Sequence, residues 1–519
     1  MNCRSPSVRL CVATAHRHAE LMGFERIVVM ERDDPQLTLR QLLNTAWQAL
    51  RGFKGDEIAR ATLVLEPMLT RSADLADAAC LDEVQTLVAA GRVWQDDVDA
   101  AMSLAREVLQ RPEAARFHFV LITLMRYGFW RAHQFPSFYE SSRPRLDRRH
   151  ALTALAHIVN LSIEAGVEAE HLRLKLAERL AKEAIYLLNQ VSGLESHAAL
   201  MSTCVLAHVA YEMGAIEDAD ALIRGKLPAI EQRGSPQSTL WGFTVGAKIA
   251  LARGNSSVAL FLLRRGQEIG EERGWSQLAL CCAADEIVIL MGQERLDQAE
   301  QVLVRASELA RRFSDVRSRQ PADLWPLDVA RYRVSLATGA VAYAFDGFTN
   351  LRNLARSYNH MAWVVRLTAL LAGSLFEAGR EEDAYREMFD ALQLGADAGL
   401  FRTFVDEMAF IEPCLRQMRI ALRSQLGHLN LYIGSLLART ERLIVGKTAT
   451  SPQNAADVLS AKEMVILRLI SVGLSNKRIA RELHIAPETV KSHAKRIFIK
   501  LSTKTRAEAV ARGAELGII

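Results

Sequence analysis

From about Leu37 to Gln417 apolar residues recur three and four positions apart, with short breaks and many alanines. The period-two alternation of a half-buried strand is scarce, so the spacing predicts helices almost throughout. These helices come in pairs around a recurring junction. Tyr211-Glu212-Met213-Gly214-Ala215-Ile216-Glu217-Asp218-Ala219 is its first clear copy. It returns as Leu251-Ala252-Arg253-Gly254 with Ala259, as Leu336-Ala337-Thr338-Gly339 with Ala344, and as Phe376-Glu377-Ala378-Gly379 with Ala384. Leu290-Met291-Gly292 is a variant whose alanine, Ala299, lies seven residues on rather than five.

The five glycines are 40, 38, 47 and 40 residues apart, a period that marks helical repeat arrays. Glycine ends the first helix of a pair in a left-handed conformation at little cost. The small alanine lets the second helix approach closely. A single pair cannot bury its apolar face alone, so neighbours are expected to stack into a superhelix with a concave surface. The long spacing coincides with a polar, proline-bearing insert from Ser314 to Pro326. Weaker copies at Ala89-Ala90-Gly91-Arg92 and between Gly52 and Ala61 extend the array towards the N-terminus. Gln134 to Arg149, with its prolines and basic cluster, is expected to be a solvated loop between two sub-arrays rather than a nucleic-acid patch. Residues 1–36 stay unassigned, and Arg26-Ile27-Val28-Val29-Met30 fits either a strand or a helix. Leu422–Leu443 is helical in pattern, and the polar Gly446–Val458 reads as a tether.

Beyond it the period shortens. Ser460 and Glu463 have capping-box spacing ahead of Ile466, Leu469 and Ile470. Gly473 ends that helix. Ser475 caps a second helix over Asn476–Leu483, in which Ile479, Ala480 and Leu483 face inward. Pro487 then suits the first position of a third helix. Its Val490, Ala494, Ile497 and Leu501 pack inward, whereas Lys491, Ser492, Lys495 and Arg496 fall on the other side. A fourth helix spans about Lys504–Leu516. Two short helices, a tight turn and a basic second helix make a helix-turn-helix, whose basic face suits a DNA major groove.

Charge sharpens this picture. The 519 residues carry 64 Lys and Arg against 60 Asp and Glu, for a net of +4. From Leu459 onward there are 12 basic and 5 acidic residues, so the C-terminal unit is at +7 and the remainder at −3. Positive charge is concentrated where the helix-turn-helix lies. Seven scattered cysteines without a C-x-x-C pair suit reduced thiols in a cytosol. No apolar run reaches 18 residues and no secretory signal is recognisable, so a cytoplasmic protein without a membrane span is expected.

Catalytic signatures are missing. Gly446-Lys447-Thr448 resembles the tail of a phosphate-binding loop, but the position five residues before Gly446 holds Glu441, which would repel phosphate. There is no G-x-S-x-G, no H-E-x-x-H, and no Cys/His set at ligand spacing. The expectation is a non-enzyme with no cofactor and no metal ligands.

The array resembles the tetratricopeptide-like superhelix of large bacterial regulators related to the maltose activator, though it lacks their N-terminal ATPase module. The C-terminal resemblance is closer. Gly473-Leu474-Ser475-Asn476-Lys477-x-Ile479-Ala480, Leu483-x-Ile485, Thr489-Val490-Lys491-x-His493, Lys500-Leu501 and Arg506-x-x-Ala509 look like the four-helix DNA-binding domain of the LuxR family. That resemblance implies base-reading roles for Lys491, Ser492 and Lys495. It implies phosphate contacts from Asn476, Lys477, Thr489, Arg496, Lys504 and Arg506, and a dimer surface including Ala509, Val510 and Leu516. Arg478 departs from the family, which often has glutamate there.

The expected fold is therefore all-α: an unassigned segment 1–36, a tetratricopeptide-like array 37–443, a linker 444–458 and a LuxR-type domain 459–519. The expected function is sequence-specific DNA binding and transcription regulation under control of the array. Expected partners are double-stranded promoter DNA, a small-molecule or protein effector on the array, RNA polymerase and a second copy on DNA. The rival is an interaction scaffold without specific DNA recognition.

Overall fold

The computed structural model describes residues 35–52, 54–69, 78–144, 146, 150–191, 199–316, 321–438, 459, 461–483, 485–501, 503 and 505–515. Among the described residues every regular element is helical. The segments 1–34 and 439–458, with Gly446-Lys447-Thr448 and the tether, lie outside them, as do Ser460, Lys504 and Leu516.

Helices α1 (Pro35–Arg51) and α2 (Gly55–Leu69) lead into a series of pairs. These are α3 (Ala78–Trp94) with α4 (Val98–Leu109), α5 (His118–Arg131) with α6 (Phe135–Glu140), and α7 (Ala151–Glu170) with α8 (Leu174–Gln190). Next, α9 (Leu200–Glu212) pairs with α10 (Ile216–Ile223), followed by the short α11 (Leu227–Arg233). Then come α12 (Pro236–Ala252) with α13 (Ser256–Arg273), and α14 (Ser276–Met291) with α15 (Leu296–Val316). The series ends with α16 (Trp325–Ala337) and α17 (Val341–Ser357), and α18 (Met361–Glu377) and α19 (Glu381–Ala398). Short α20 (Arg402–Val405), α21 (Met408–Ala421) and helical residues 429–438 close the array.

One junction builds every pair. A residue with left-handed backbone stands two positions before the second helix: Asp96, His133, Leu172, Gly214, Gly254, Glu294, Gly339 and Gly379, at 37 to 45 residue intervals. Five residues later comes Ala101, Phe138, Ala177, Ala219, Ala259, Ala299, Ala344 or Ala384, each at most 1% exposed. The variant junction is corrected here. Gly292 is an ordinary right-handed helix cap, with φ −65°, and Glu294 makes the turn at φ 59°. Counted from Glu294, Ala299 falls at the common five-residue distance.

First and second helices of the pairs form two layers. Along α7 nearly every residue from Ala154 to Ala169 is buried, so it packs on all sides. Its partner α8 buries Leu174, Ala177, Leu180, Ala181, Ala184, Leu187 and Leu188, a single stripe, and turns its remaining residues outward. The supposed loop after Gln134 is another correction. It opens with α6, whose Phe135 and Phe138 are buried, and Arg126 covers the Phe138 ring at 4.0 Å. Aromatic burial outweighs the two prolines, one of which sits harmlessly in the first turn of α6.

The expected concave surface is largely closed, because one turn of the superhelix stacks on the next. Trp275 Nε1 donates to the Trp94 carbonyl at 2.8 Å. Arg131 meets Asp323 at 3.3 Å, and Glu170 meets His360 at 3.6 Å. Thr403 donates from its backbone N (3.1 Å) and its hydroxyl (2.7 Å) to Glu212. Each contact joins the C-terminal end of one inner helix to the start of a helix five pairs later. The negative end of one helix dipole thus faces the positive end of another.

Glu407, 4% exposed, clamps the last pairs together by bonding Arg333 of α16 and Arg366 of α18. Burial alone would raise its pKa, but the two guanidiniums hold it at about 2. Its contribution is complete above the ordinary glutamate pKa and is lost as pH falls from there towards 2. Glu407→Gln should cost about 3 kcal/mol by leaving two partly buried cations uncompensated. Urea unfolding measures this, and the variant should also lose stability less steeply between pH 5 and pH 2 than the parent.

Candidate nucleic-acid interface

The C-terminal unit folds from four short helices: α22 (Ala461–Ser471), α23 (Asn476–Glu482), α24 (Pro487–Lys500) and α25 (Arg506–Glu515). Gly473, at φ 88°, turns the chain after α22 in a conformation unfavourable to other residues. The Ser475 hydroxyl accepts from the Arg478 backbone N at 3.4 Å, capping α23. Pro487 occupies the first turn of α24. Ile466, Leu469, Ile470, Ile479, Ala480, Val490, Ala494, Ile497 and Leu501 are all buried, forming the small core that the spacing predicts. Leu483 is half-buried against it.

Two polar contacts fix the outer helices. Lys500 Nζ donates to the buried Glu463 carboxylate at 2.6 Å, tying the end of α24 to α22. Arg506 donates to Asn476 Oδ1 at 3.1 Å and to the Leu474 carbonyl, tying α25 to the start of α23. Two residues with expected phosphate roles are therefore hydrogen-bonded to each other. Burial also lowers the Arg506 pKa.

The basic residues along the middle of α24 point outward. Lys491, Ser492, Lys495 and Arg496 on α24 are exposed, as are Thr489 and Lys477. Lys491 is 3.6 Å from Glu488, but both side chains are more than two-thirds exposed, so the pair holds the ammonium only weakly. The α24 face thus presents three cations and two short hydroxyls, able to donate to base edges and phosphates. Ala509 is turned into the domain's own core and Val510 packs against it half-buried, so α25 keeps these two candidate dimer residues largely within the domain.

A contact between domain and array escapes the sequence pattern. Arg478 grips Glu231 of α11 with both guanidinium nitrogens, at 2.7 and 2.6 Å. Arg265 of α13 reaches the same carboxylate at 2.9 Å. Burial opposes ionisation of Glu231, but hydrogen bonds from Arg478 and Arg265 prevail and lower its pKa. Gly473 lies against Pro228, where an added Cβ would come within 3.3 Å of the proline ring. The arginine that departs from the family pattern is therefore the domain's handle on the array. No local motif signals it, because the partners are 247 residues apart.

Core and face should separate on mutation. Ile497→Ala should lower stability of the C-terminal domain by about 3 kcal/mol through a cavity. Lys495→Ala should change it by no more than about 0.5 kcal/mol. Equal losses in chemical denaturation would contradict the assignment of the two sides of α24.

Residues 82–421 match the family model described as the MalT-like TPR region. Residues 457–512 match that of bacterial regulatory proteins of the luxR family. The HTH-type transcriptional regulator AlkS of Ectopseudomonas oleovorans is 30% identical over 172 residues, 32% of this chain and 18% of that protein. The HTH-type transcriptional regulator MalT of Cronobacter sakazakii (strain ATCC BAA-894) is 28% identical over 198 residues, 36% of this chain and 22% of that protein. The chain thus spans about a fifth of the length of the curated relatives it matches. Among solved structures, a Rap protein complexed with competence and sporulation factor aligns with 69% of this chain and 98% of its own, at 13% identity and a TM-score of 0.49. With its repeat region matched over well more than half its length, the chain belongs to the proteins with a MalT-like TPR region, here joined to a C-terminal domain of the luxR family.

Proposed function

We propose that this protein is a sequence-specific DNA-binding transcription regulator acting in the cytoplasm, with α24 reading the major groove under control of the helical array. The observation that carries this reading is the exposed Lys491, Ser492, Lys495 and Arg496 face opposite the buried Val490, Ala494 and Ile497 stripe of the same helix. Lys491 and Lys495 donate to guanine O6 and N7, and Ser492 makes a less selective contact. Lys477, Thr489, Arg496 and Lys504 neutralise phosphates, with Asn476 and Arg506 holding the start of α23 in register beside them. Two copies bind paired half-sites through the outer side of α25, and RNA polymerase is the downstream partner. The names of the relatives AlkS and MalT, both HTH-type transcriptional regulators, accord with this.

Control acts through the contact at Glu231. Docking on α11 leaves the α24 face open, yet sets an array carboxylate beside the start of α23, where DNA phosphates belong. Glu231 thus competes with phosphate, and an effector on the array shifts the balance. DNA footprinting tests the whole reading: protection of defined promoter sites is expected, and none at physiological salt would overturn it.

Lys491→Ala and Lys495→Ala should abolish site preference, whereas Lys504→Ala should weaken binding to all sequences and reduce the salt slope by about one. Fluorescence anisotropy on specific and random duplexes separates these outcomes. Glu231→Lys should repel Arg478 and tighten DNA binding about tenfold without any effector. Unchanged affinity would refute the control by docking while leaving DNA reading intact.

A further inference from the structure

Deep in the array, where one superhelical turn stacks on the next, three histidines and a glutamate gather around Phe135. His133 is the left-handed junction residue between α5 and α6. Glu170 ends α7, His171 caps it, and His360 stands at the start of α18. The Phe135 ring lies 5.7, 4.3 and 6.3 Å from the rings of His133, His171 and His360. One ligand atom each from His133, Glu170 and His360 lies within 4.8 Å of the other two.

Hydrogen bonds do not account for this cluster. Both ring nitrogens of His133, Nδ1 of His360, Nε2 of His171 and one carboxylate oxygen of Glu170 are closed to solvent and lack a hydrogen-bond partner. Each such orphan is a desolvation cost that a ligand would relieve. Ring stacking, as between His133 and Trp325 at 5.7 Å and 15°, satisfies the faces and leaves the in-plane lone pairs bare. A proton on Glu170, favoured by burial that pushes its pKa up to about 8, serves only one nitrogen.

We propose that His133, Glu170 and His360 bind a zinc-class divalent transition metal, with a water in the fourth position. Two imidazoles and one carboxylate suit zinc and its neighbours, and supply too few oxygens for calcium or magnesium. Tetrahedral bonds of the usual length place ligand atoms about 3.4 Å apart, which small side-chain rotations reach from the present spacing. The ion would staple the second, third and eighth helix pairs together, whatever the C-terminal domain binds.

The test uses the full chain, stripped with a chelator and titrated with Zn²⁺ by calorimetry and with Co²⁺ by visible absorption. One equivalent of Zn²⁺, tetrahedral Co²⁺ bands and a Tm raised by at least about 3 °C are expected. His360→Gln and His133→Asn, the latter tolerant of left-handed backbone, should each weaken binding at least about tenfold. His428→Ala, at an exposed position, should change nothing. Equal binding in the parent and both site variants would overturn the proposal, as would an octahedral Co²⁺ spectrum of the parent. The parent's spectrum decides even where a variant fails to fold.

Discussion

The array depends on one backbone constraint, a single left-handed residue followed five positions later by a small or tightly buried side chain. The left-handed residue reverses the chain within two positions. The alanine then lets the outer helix lie close against the inner one, so both bury a continuous stripe. Repetition at nearly constant spacing turns this local geometry into a superhelix. Where the turn residue is Asp96, His133, Leu172 or Glu294 rather than glycine, tertiary packing imposes what local preference disfavours.

That difference explains how much of the fold was legible in the sequence. Gly214, Gly254, Gly339 and Gly379 announce their junctions because glycine is the residue that adopts the conformation freely. The Asp96, His133 and Leu172 turns carry no such signal, and the glycine at 292 points to the wrong residue. The four C-terminal helices were readable because their caps, turns and buried positions lie within a few residues of one another. The Glu231–Arg478 contact was not, and neither was the His133, Glu170 and His360 cluster. Each is assembled from residues that only the superhelical path brings together.

Electrostatics divides the chain along the same line. In the array, buried charges are met by charges of opposite sign, as at Glu407 between Arg333 and Arg366 or Arg131 between two aspartates. On the C-terminal domain cations dominate the exposed face of α24. Arg478 is the exception that joins the two: a domain cation spent on an array carboxylate. Its unusual identity at that position makes sense only with α11 beside it.

The stacking of turn on turn changes what kind of solenoid this is. A repeat array whose units touch only their neighbours unfolds piecemeal from its ends. Here the contacts Trp94–Trp275, Arg131–Asp323, Glu170–His360 and Glu212–Thr403 bridge 181 to 192 positions of sequence. Opening a terminal pair also breaks a contact in mid-chain, so fraying is coupled across the whole array. Long-range closure of this kind slows folding, since much loop entropy is lost before those contacts form. In return the array responds as one cooperative body, and a perturbation at one turn is felt at the turn stacked upon it.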